Sequence, residues 1–353
     1  MFEAFQLTEH GYLTRRDFLK ISGIVGLGMT TCPIMAPIAE AVKFDKDLYK
    51  VSRSRVAMGT IVSMTVLDPS KDRADGAIDL AFQEIERLSG LMSRHDARTP
   101  LSHLNRMQVL KDAPPELLFV IEQSLYYHRM SDGFFDITVK PVLDLLEKLG
   151  KNSKAVFQTE AEIAQLLKLV DARQISIDGK TVFLKREGMG ITLDGIAKGF
   201  IVDKAMEQLM QHGIQHALLN AGGDIRTLGD KGNNRPWKVA IEDPLKKGNY
   251  PDTVALTNGS IATSGNYEVF FDREKIFHHI INPKIGVSPP INASVSVTAP
   301  TTMEADALST TLFVLGPSQG LRLINTMPQC ESLTVTGNQN KIKSKGWRGL
   351  RLS

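Results

Sequence analysis

Cysteine is scarce in this sequence, and its scarcity limits the chemistry that we expect. The 353 residues include two cysteines, Cys32 and Cys330. Cys32 lies in an N-terminal segment that we predict to be removed, so the mature chain would keep Cys330 alone. One cysteine cannot form an internal disulfide, nor can it supply a cysteine-based metal site.

An excess of one charge is also missing, as are several enzyme signatures. Lys and Arg number 42 against 39 Asp and Glu, for a formal net charge of +3. Charge alone therefore gives no indication of a nucleic-acid partner. We find no repeat, no low-complexity tract, no G-x-x-x-x-G-K-[ST] phosphate loop, no G-x-S-x-G elbow and no H-E-x-x-H zinc helix. With 42% hydrophobic residues, the chain has the composition of an ordinary globular protein of one or two domains.

The N-terminus has the pattern of an export signal. Residues 14–20 read Thr-Arg-Arg-Asp-Phe-Leu-Lys, an apolar run covers 21–38, and Ala-Glu-Ala at 39–41 fits a small-x-small cleavage site. The arginine pair resembles a twin-arginine signal. We therefore predict an export signal at residues 1–41, a functional domain at 42–353 and a periplasmic location.

Two alternatives at the N-terminus are a membrane anchor and a lipoprotein. The apolar run is about 18 residues long, close to the length that spans a bilayer, but it includes Thr30, Thr31 and two prolines. The residues before Cys32 match a lipid-attachment site poorly, which argues against lipid anchoring at Cys32. No later apolar run is long enough to cross a membrane.

Periodicity predicts mixed helices and strands without regular βαβ alternation, which indicates an α+β fold with largely antiparallel pairing. Residues 92–105 are predicted as a polar loop. We predict helices at 75–92, 114–130, 142–149, 159–170, 304–315 and 318–326, and strands within 53–66, 174–184, 216–219, 237–241, 252–256, 260–263, 276–281, 294–298 and 333–336.

The stretch from Thr192 to Asp224 is the centre of the predicted organisation. A small-residue turn at 192–199 opens a helix, and Gly222-Gly223 ends the strand that follows. Glycine turns let backbone approach a ligand closely, and a helix N-terminus favours anions. The alternative is an ordinary strand–helix–strand unit with tight turns.

A few side chains could bind a ligand or take part in catalysis, and each could instead have an ordinary structural role. Asp306 and Thr310 lie four residues apart on one predicted helix face, where they could hold a hard cation such as Mg²⁺ or simply face solvent. His279, at a strand end, could be a base or a phosphate contact, or it could be structural. His278 would face the opposite side of the strand.

Seven motifs in order carry a family resemblance. They are Met58-Gly59-Thr60, Asp132-Gly133-Phe134-Phe135-Asp136-Ile137-Thr138, Gly195-Ile196-Ala197-Lys198-Gly199, Asn220-Ala221-Gly222-Gly223-Asp224, Ile261-Ala262-Thr263-Ser264-Gly265, His279-Ile280-Ile281-Asn282-Pro283 and Ala305-Asp306-Ala307-Leu308-Ser309-Thr310. Together they resemble the ApbE family, flavin transferases that move FMN from FAD onto a Ser or Thr hydroxyl of another protein and release AMP. The resemblance implies a two-lobed, T-fold-related α+β domain with a flavin cleft between the lobes.

The resemblance also implies roles for particular residues. It implies Mg²⁺ bound by the side chains of Asp306 and Thr310 and the carbonyl of Gly195, and it places His279 near the reacting phosphate. There we predict His279 as the catalytic base. The implied partners are FAD and an acceptor flavoprotein of a membrane redox complex, with no nucleic acid. The positions implied to line the FAD are Met58, His95, Phe134, Phe135, Asp136, Thr192, Lys198 and His279.

The sequence departs from the family pattern at three places. The family usually has Asp-Leu-Gly-Gly where this chain has Thr192-Leu193-Asp194-Gly195, so a carboxylate has moved or been lost. His95 stands where an aromatic ring is usual, and Asn282 stands where Asp is frequent. Two other functions remain open: an exported FAD-binding protein without transfer activity, and a Mg²⁺-dependent FAD pyrophosphatase.

Overall fold

The computed structural model describes residues 39–43, 47–150, 159–245, 250–266 and 280–349. Within this part of the chain, seven α-helices and fourteen strands form. The helices are α1 (Lys71–Met92), α2 (Pro100–Met107), α3 (Pro115–Met130), α4 (Lys140–Gly150), α5 (Thr159–Leu167), α6 (Ala197–Gln211) and α7 (Thr302–Ile324). The strands are β1 (Ala39–Lys43), β2 (Tyr49–Ala57), β3 (Thr60–Asp68), β4 (Val109–Leu110), β5 (Ile175–Asp178), β6 (Thr181–Leu184), β7 (His216–Ala221), β8 (Asp224–Leu228), β9 (Trp237–Ala240), β10 (Thr253–Leu256), β11 (Ser260–Gly265), β12 (Asn292–Ala299), β13 (Glu331–Thr336) and β14 (Lys341–Lys343).

One large sheet forms the framework of the described chain. Its nine strands run in the order β1-β2-β3-β7-β8-β11-β12-β13-β14, and each pair of described neighbours is antiparallel. Two smaller antiparallel sheets have the orders β4-β6-β5 and β10-β9. The prediction of an α+β fold with largely antiparallel pairing is confirmed.

Apolar side chains at strand and helix spacing build the main core. In β3, Val62, Met64 and Val66 alternate with more exposed residues and are buried, as expected for a strand with one covered face. Helix α1 contributes a stripe of buried residues at helical spacing, which belongs to the same cluster. This stripe consists of Ala74, Ala77, Ile78, Ala81, Phe82, Ile85 and Leu88.

Helices α6 and α7 pack closely because α6 has a glycine at the contact. A Cβ built on Gly199 would lie 2.4 Å from the carbonyl oxygen of Thr302 and 2.8 Å from the Cβ of Asp306. Asp203 of α6 accepts hydrogen bonds from the backbone N–H groups of Thr302 and Met303, each at 2.9 Å. These carboxylate contacts satisfy first-turn donors of α7 and fix the register of the two helices.

The structure corrects part of the expected loop at 92–105. Helix α2 begins at Pro100, and its N-cap Thr99 accepts a hydrogen bond from the N–H of Ser102 at 3.0 Å. A capping threonine followed by proline at the first helical position is a helix-start signal, and this local signal was overlooked. The segment nevertheless remains non-helical from Ser93 to Thr99.

Other local differences concern strand pairing. The strands predicted on either side of Asn258-Gly259 do not pair with each other, because β10 pairs with β9 while β11 pairs with β8 and β12. β8 and β14 were not predicted. The predicted end of a helix at Gly316-Pro317 is confirmed, because α7 is interrupted at Gly316, whose φ of 76° is non-helical.

Several predictions fall wholly or partly outside the described residues. The described chain begins with β1, which includes residues 39–41 of the predicted export signal and pairs with β2. The rest of that signal lies outside, as does the predicted strand at 276–281 except for its last two residues. Among the described helices, none combines the length and apolar character needed to span a bilayer.

Candidate functional site

A cleft opens where the segment after α3, the turn before α6, the end of β11 and helix α7 meet. The space within and in front of the cleft, open solvent included, amounts to about 730 Å³. The lining includes two phenylalanine rings, the hydroxyl groups of Thr and Ser residues, four aspartates and one lysine. The lining residues are Phe134, Phe135, Asp136, Ile137, Val139, Leu143, Thr192, Asp194, Gly195, Lys198, Asp224, Thr263, Ser264, Ile280, Ile281, Asp306, Thr310 and Val314.

Most of the residues predicted to bind FAD or metal line this one cleft. Met58 and His95 are not among the lining residues, and His279 lies outside the described part of the chain. The predicted residues that the cleft brings together are Phe134, Phe135, Asp136, Thr192, Gly195, Lys198, Asp306 and Thr310.

Met58 and His95 lie on elements next to the cleft. Met58 occupies the turn between β2 and β3 with a φ of 51°, and a Cβ on Gly222 would lie 2.5 Å from the Oγ1 of Thr60 in the same hairpin. The β2–β3 turn therefore adjoins the β7–β8 turn, which directly precedes Asp224. His95 is exposed in the loop after α1.

Oxygen donors converge at the α7 side of the cleft. Asp306 is 5% exposed, and its Oδ2 accepts a hydrogen bond from the N–H of Gly199 at 3.0 Å. One turn further on, the Oγ1 of Thr310 lies 3.1 Å from the Oγ of Ser264. A Cβ on Gly195 would be 3.1 Å from both Cγ2 and Oγ1 of Thr310, so the missing side chain lets this backbone approach the hydroxyl.

This donor set fits a hard divalent cation. Carboxylate, hydroxyl and backbone carbonyl oxygens are the ligands that Mg²⁺ and Ca²⁺ prefer. Among the described residues, no group of three or more His, Cys, Asp or Glu side chains is placed to hold a metal ion. A cation at Asp306 and Thr310 would therefore need backbone, solvent or ligand oxygens to complete its coordination.

A buried carboxyl group and an amino group meet at the sheet side of the cleft. Asp224 begins β8 directly after the Gly222-Gly223 turn and is 1% exposed. The Nζ of Lys198 lies 3.4 Å from its Oδ2. Burial raises the pKa of Asp224, Lys198 opposes that rise, and the negative charge of Asp306 adds to it. Lys198, half-buried on the first turn of α6, thus presents a cation to the cleft.

The aromatic wall follows α3. Asp132 and Gly133 have φ values of 52° and 74°, and this left-handed turn directs the next two residues toward the cleft. Phe135 is buried, with its ring centroid 5.9 Å from that of Tyr127. Phe134 is half-buried, and the Nζ of Lys284 lies 5.5 Å from its ring centroid.

Asp136 lines the cleft but uses its carboxylate to hold the local fold. Its Oδ1 accepts from the N–H of Thr138 at 2.8 Å, and its Oδ2 accepts from the N–H of Ala172 at 3.1 Å. The Nδ1 of His128 lies 3.2 Å from the same Oδ2. These contacts cap the 3₁₀ turn Ile137–Val139 and tie it to the segment before β5.

The turn before α6 carries the carboxylate of Asp194, two residues after the position where the family usually has aspartate. The N–H of Thr192 donates to the carbonyl of Ile137 at 2.8 Å, and the Oγ1 of Thr192 accepts from the N–H of Asp194 at 3.2 Å. The carboxylate of Asp194 pairs with the Nε of Arg94 at 2.7 Å. Thr192 is buried, and its hydroxyl stabilises the turn that carries Gly195.

The turn Thr263-Ser264-Gly265 was a sequence candidate for phosphate contact, and Thr263 and Ser264 do line the cleft. Sequence reasoning gave no role to three other residues in or beside this site, which are Asp224, Arg94 and Asp194. Asp224 belonged to a quoted motif, and its position beside a glycine turn was the available signal. Arg94 and Asp194 contact each other across 100 residues of sequence, and no local pattern reveals such a pair.

The fold has counterparts among solved structures. The ApbE protein of Thermotoga maritima, a solved structure, aligns with a TM-score of 0.76 at 26% identity, covering 84% of this chain and 97% of that one. The flavin transferase ApbE of Vibrio cholerae aligns with a TM-score of 0.72 at 24% identity, covering 87% and 98%. At 24% identity, the comparison with the Vibrio cholerae protein shows that the fold is shared.

Sequence comparison identifies the family. The model of the ApbE family matches residues 58–334, which is more than half of the chain, and the chain therefore belongs to this family. The FAD:protein FMN transferase of Treponema pallidum is 31% identical over 322 residues, covering 84% of this chain and 87% of that protein. The enzyme of the same name from Haemophilus influenzae is 29% identical over 320 residues, covering 86% and 89%. The predictions of family and of an enzyme are confirmed.

Proposed function

We propose that this enzyme transfers FMN from FAD to a Ser or Thr hydroxyl of an acceptor protein, with Mg²⁺ as cofactor and AMP as the leaving product. The names of its relatives support flavin transfer. The observation that carries the proposal for this chain is the convergence of Asp306, Thr310 and Gly195 in one cleft with Lys198 and two phenylalanine rings. The metal donors and the cation suit the anionic pyrophosphate of FAD, and the apolar wall suits its flavin ring.

The α7 side of the cleft would hold the metal. Asp306 and Thr310 would supply side-chain oxygens, and Gly195 would supply its carbonyl. When bound there, Mg²⁺ supplies charge neutralisation at the pyrophosphate and orients it for displacement. Asp306 is oriented in advance, because the N–H of Gly199 already donates to one of its oxygens.

Lys198 and the start of α6 would bind the anionic part of FAD. The ammonium group of Lys198 is held at the cleft by Asp224. The N-terminal end of a helix also favours negative charge, by about 0.3–1 kcal/mol at an exposed site. Phe134 and Phe135 provide an aromatic surface on which the flavin ring can pack.

The reaction balances without any redox reagent. The acceptor oxygen forms a bond to the phosphorus of the FMN moiety, the pyrophosphate P–O bond breaks, and AMP leaves with the electron pair of that bond. The acceptor hydroxyl loses its proton. We predict His279 as the base that takes it, a role that rests on sequence because residue 279 lies outside the described part of the chain.

The cellular setting is also a proposal. The Arg15-Arg16 signal supports twin-arginine export to the periplasm, so the acceptor would be a flavoprotein exposed there. We propose an acceptor belonging to a membrane redox complex, which would receive a phosphodiester-linked FMN.

The test combines AMP release with covalent labelling of an acceptor. Purified protein is incubated with FAD, Mg²⁺ and a candidate acceptor, and the products are measured by chromatography and by flavin fluorescence on a denaturing gel. We expect AMP and a fluorescent acceptor in equal amounts, and neither from Asp306→Ala. AMP and free FMN without a labelled acceptor would indicate a pyrophosphatase. FAD binding without AMP release would indicate a binding protein.

A further inference from the structure

Arg94 occupies an unusual position for an arginine in a loop. It directly follows Ser93, the C-cap of α1, yet its side chain is 7% exposed. Arginine is rarely buried without partners, and Arg94 contacts three carboxylates. Its Nη2 lies 2.5 Å from Glu147, its Nε 2.7 Å from Asp194 and its Nη1 3.6 Å from Asp144.

These contacts join three separate segments at the cleft. Asp144 and Glu147 lie on α4, which follows the 3₁₀ turn Ile137–Val139 that lines the cleft. Asp194 lies between Thr192 and Gly195, both cleft residues. Arg94 itself belongs to the loop that continues to His95. One guanidinium therefore fixes the turn before α6 against α4 and against the loop after α1.

Arg94 also has an electrostatic task, which is to offset the negative charge of Asp194. The Asp194 side chain is 45% exposed and lines the cleft, so without a partner it would place a negative charge beside any bound anion. Pairing with Arg94 offsets part of this charge, since the same guanidinium also contacts Glu147 and Asp144. The planar guanidinium suits the task because it can donate to Asp194 and Glu147 at once in a fixed geometry.

We propose that Arg94 is a positioning residue of the flavin cleft, which holds the Thr192–Gly195 turn in place through Asp194 and neutralises that carboxylate toward the anionic ligand. The inference rests on the proposed function, since the ligand in question is FAD. It also explains the departure at position 194, because the carboxylate displaced along the turn has its own cationic partner in this chain.

The test compares FAD binding by four proteins. They are the parent, Arg94→Gln, Asp194→Asn and the double variant, each measured by flavin fluorescence in EDTA at low and high salt. We expect Arg94→Gln to raise the Kd of FAD about tenfold, equivalent to 1.4 kcal/mol, because it exposes an unpaired carboxylate and loosens the turn. Asp194→Asn should change the Kd less. The double variant should bind FAD more tightly than Arg94→Gln, because removing the repelling charge offsets part of the loss.

Salt dependence and a matched arginine separate this role from a merely structural one. The defect of Arg94→Gln should shrink as salt rises, since screening weakens the repulsion from Asp194. Arg53 is the control, because it also binds two carboxylates, Asp75 at 2.8 Å and Asp79 at 2.7 Å, with 19% of its side chain exposed. Arg53→Gln should lower the thermal unfolding midpoint while leaving the Kd of FAD unchanged.

The results of these measurements distinguish a failure of the proposed function from a failure of the inference about Arg94. A parent protein that binds no FAD would overturn the proposed function and this inference with it. With a parent that binds, an unchanged Kd in Arg94→Gln, or a double variant no better than Arg94→Gln, would overturn the inference alone. If Arg94→Gln does not fold, Arg94→Lys tests the positioning role alone, because lysine keeps the charge but lacks the fork that joins Asp194 to Glu147. Arg94→Lys should still raise the Kd of FAD, and an unchanged Kd would overturn the positioning role.

Discussion

Alanine at position 195 would test whether the approach of this backbone to Thr310 serves the metal site. The added Cβ would lie 3.1 Å from Cγ2 and Oγ1 of Thr310 and 3.4 Å from Cε2 of Phe135. Only the Thr310 contacts are tighter than ordinary van der Waals packing, so Thr310 must move by a few tenths of an ångström. Gly195 itself is not in the left-handed region, so alanine can adopt its backbone conformation.

The expected effect on stability is small because two contributions oppose each other. Alanine in place of glycine stabilises by about 0.4–1 kcal/mol through the unfolded chain. Overpacking costs about 1–3 kcal/mol. The net loss should therefore be about 0–2.6 kcal/mol, too little to unfold a typical domain.

The expected effect on metal binding is larger. Mg²⁺ requires near-ideal octahedral geometry with oxygen distances of about 2.0–2.1 Å, so a shift of the Thr310 hydroxyl weakens the site. We expect the Mg²⁺ concentration for half-maximal AMP release to rise about tenfold, equivalent to 1.4 kcal/mol, in Gly195→Ala. The assay is AMP release against Mg²⁺ concentration at saturating FAD, with urea unfolding measured on the same samples.

Two other glycines provide the comparison. A Cβ on Gly190 would lie 2.9 Å from Cδ of Lys140, a flexible side chain that can move, so Gly190→Ala should leave the Mg²⁺ requirement unchanged. A Cβ on Gly199 would lie 2.4 Å from the carbonyl oxygen of Thr302, so Gly199→Ala should cost about 3 kcal/mol of stability. The same Mg²⁺ requirement in Gly195→Ala as in Gly190→Ala would refute the reasoning.

The remaining predictions concern charge, pH and export. Asp306→Asn should slow AMP release about a hundredfold or more by removing the anionic metal ligand, measured across Mg²⁺ concentrations; equal rates at limiting Mg²⁺ would contradict it. Because burial raises the pKa of Asp224, the folded state binds its proton more tightly than the unfolded state, whose Asp pKa is about 3.9, and stability falls as pH rises above that value. Asp224→Asn should lack this fall, so its stability relative to the parent should increase between pH 5 and pH 7 in urea unfolding, and a constant difference would count against it. Replacing Arg15 and Arg16 by lysine should leave unprocessed precursor in the cytoplasm, which cell fractionation detects, and mature periplasmic protein would exclude the twin-arginine route. His279→Ala should keep FAD affinity but lose the acidic limb of the single-turnover pH profile, since imidazole acts as a base only when neutral; an unchanged rate and profile would remove it from the mechanism.

Local patterns were enough to predict most of the elements, because their information lies in neighbouring residues. The buried stripe of α1 repeats at helical spacing, and the alternation of β3 reports one covered face. Sheet order could not be predicted in this way. β3 pairs with β7, so Val62 lies opposite Ala221, and no periodicity within either strand indicates the other as its partner.

The candidate site, too, could be predicted from local patterns only where its residues are neighbours in sequence. Helical spacing alone placed Asp306 and Thr310 on one face. That Gly195 and Lys198 meet them came from the family resemblance, because sequence spacing carries no information about contacts across more than 100 residues. Neither local spacing nor the family resemblance indicated the pairing of Arg94 with Asp194, since the family pattern has no carboxylate at position 194.

The contact between α6 and α7 connects the stability of the fold to the chemistry of the site. Asp306 is buried, and an unsatisfied buried carboxylate would be costly. The N–H of Gly199 reduces that cost by donating to one of its oxygens, and the absence of a Cβ at Gly199 is what permits the approach. Asp203 fixes the first turn of α7 from the same helix, so α6 both anchors the helix that carries Asp306 and orients its carboxylate. The geometry of the proposed metal site therefore depends on helix packing. Changes at this helix contact should alter folding and Mg²⁺ affinity together, whereas changes at Gly195 should alter Mg²⁺ affinity with little effect on folding.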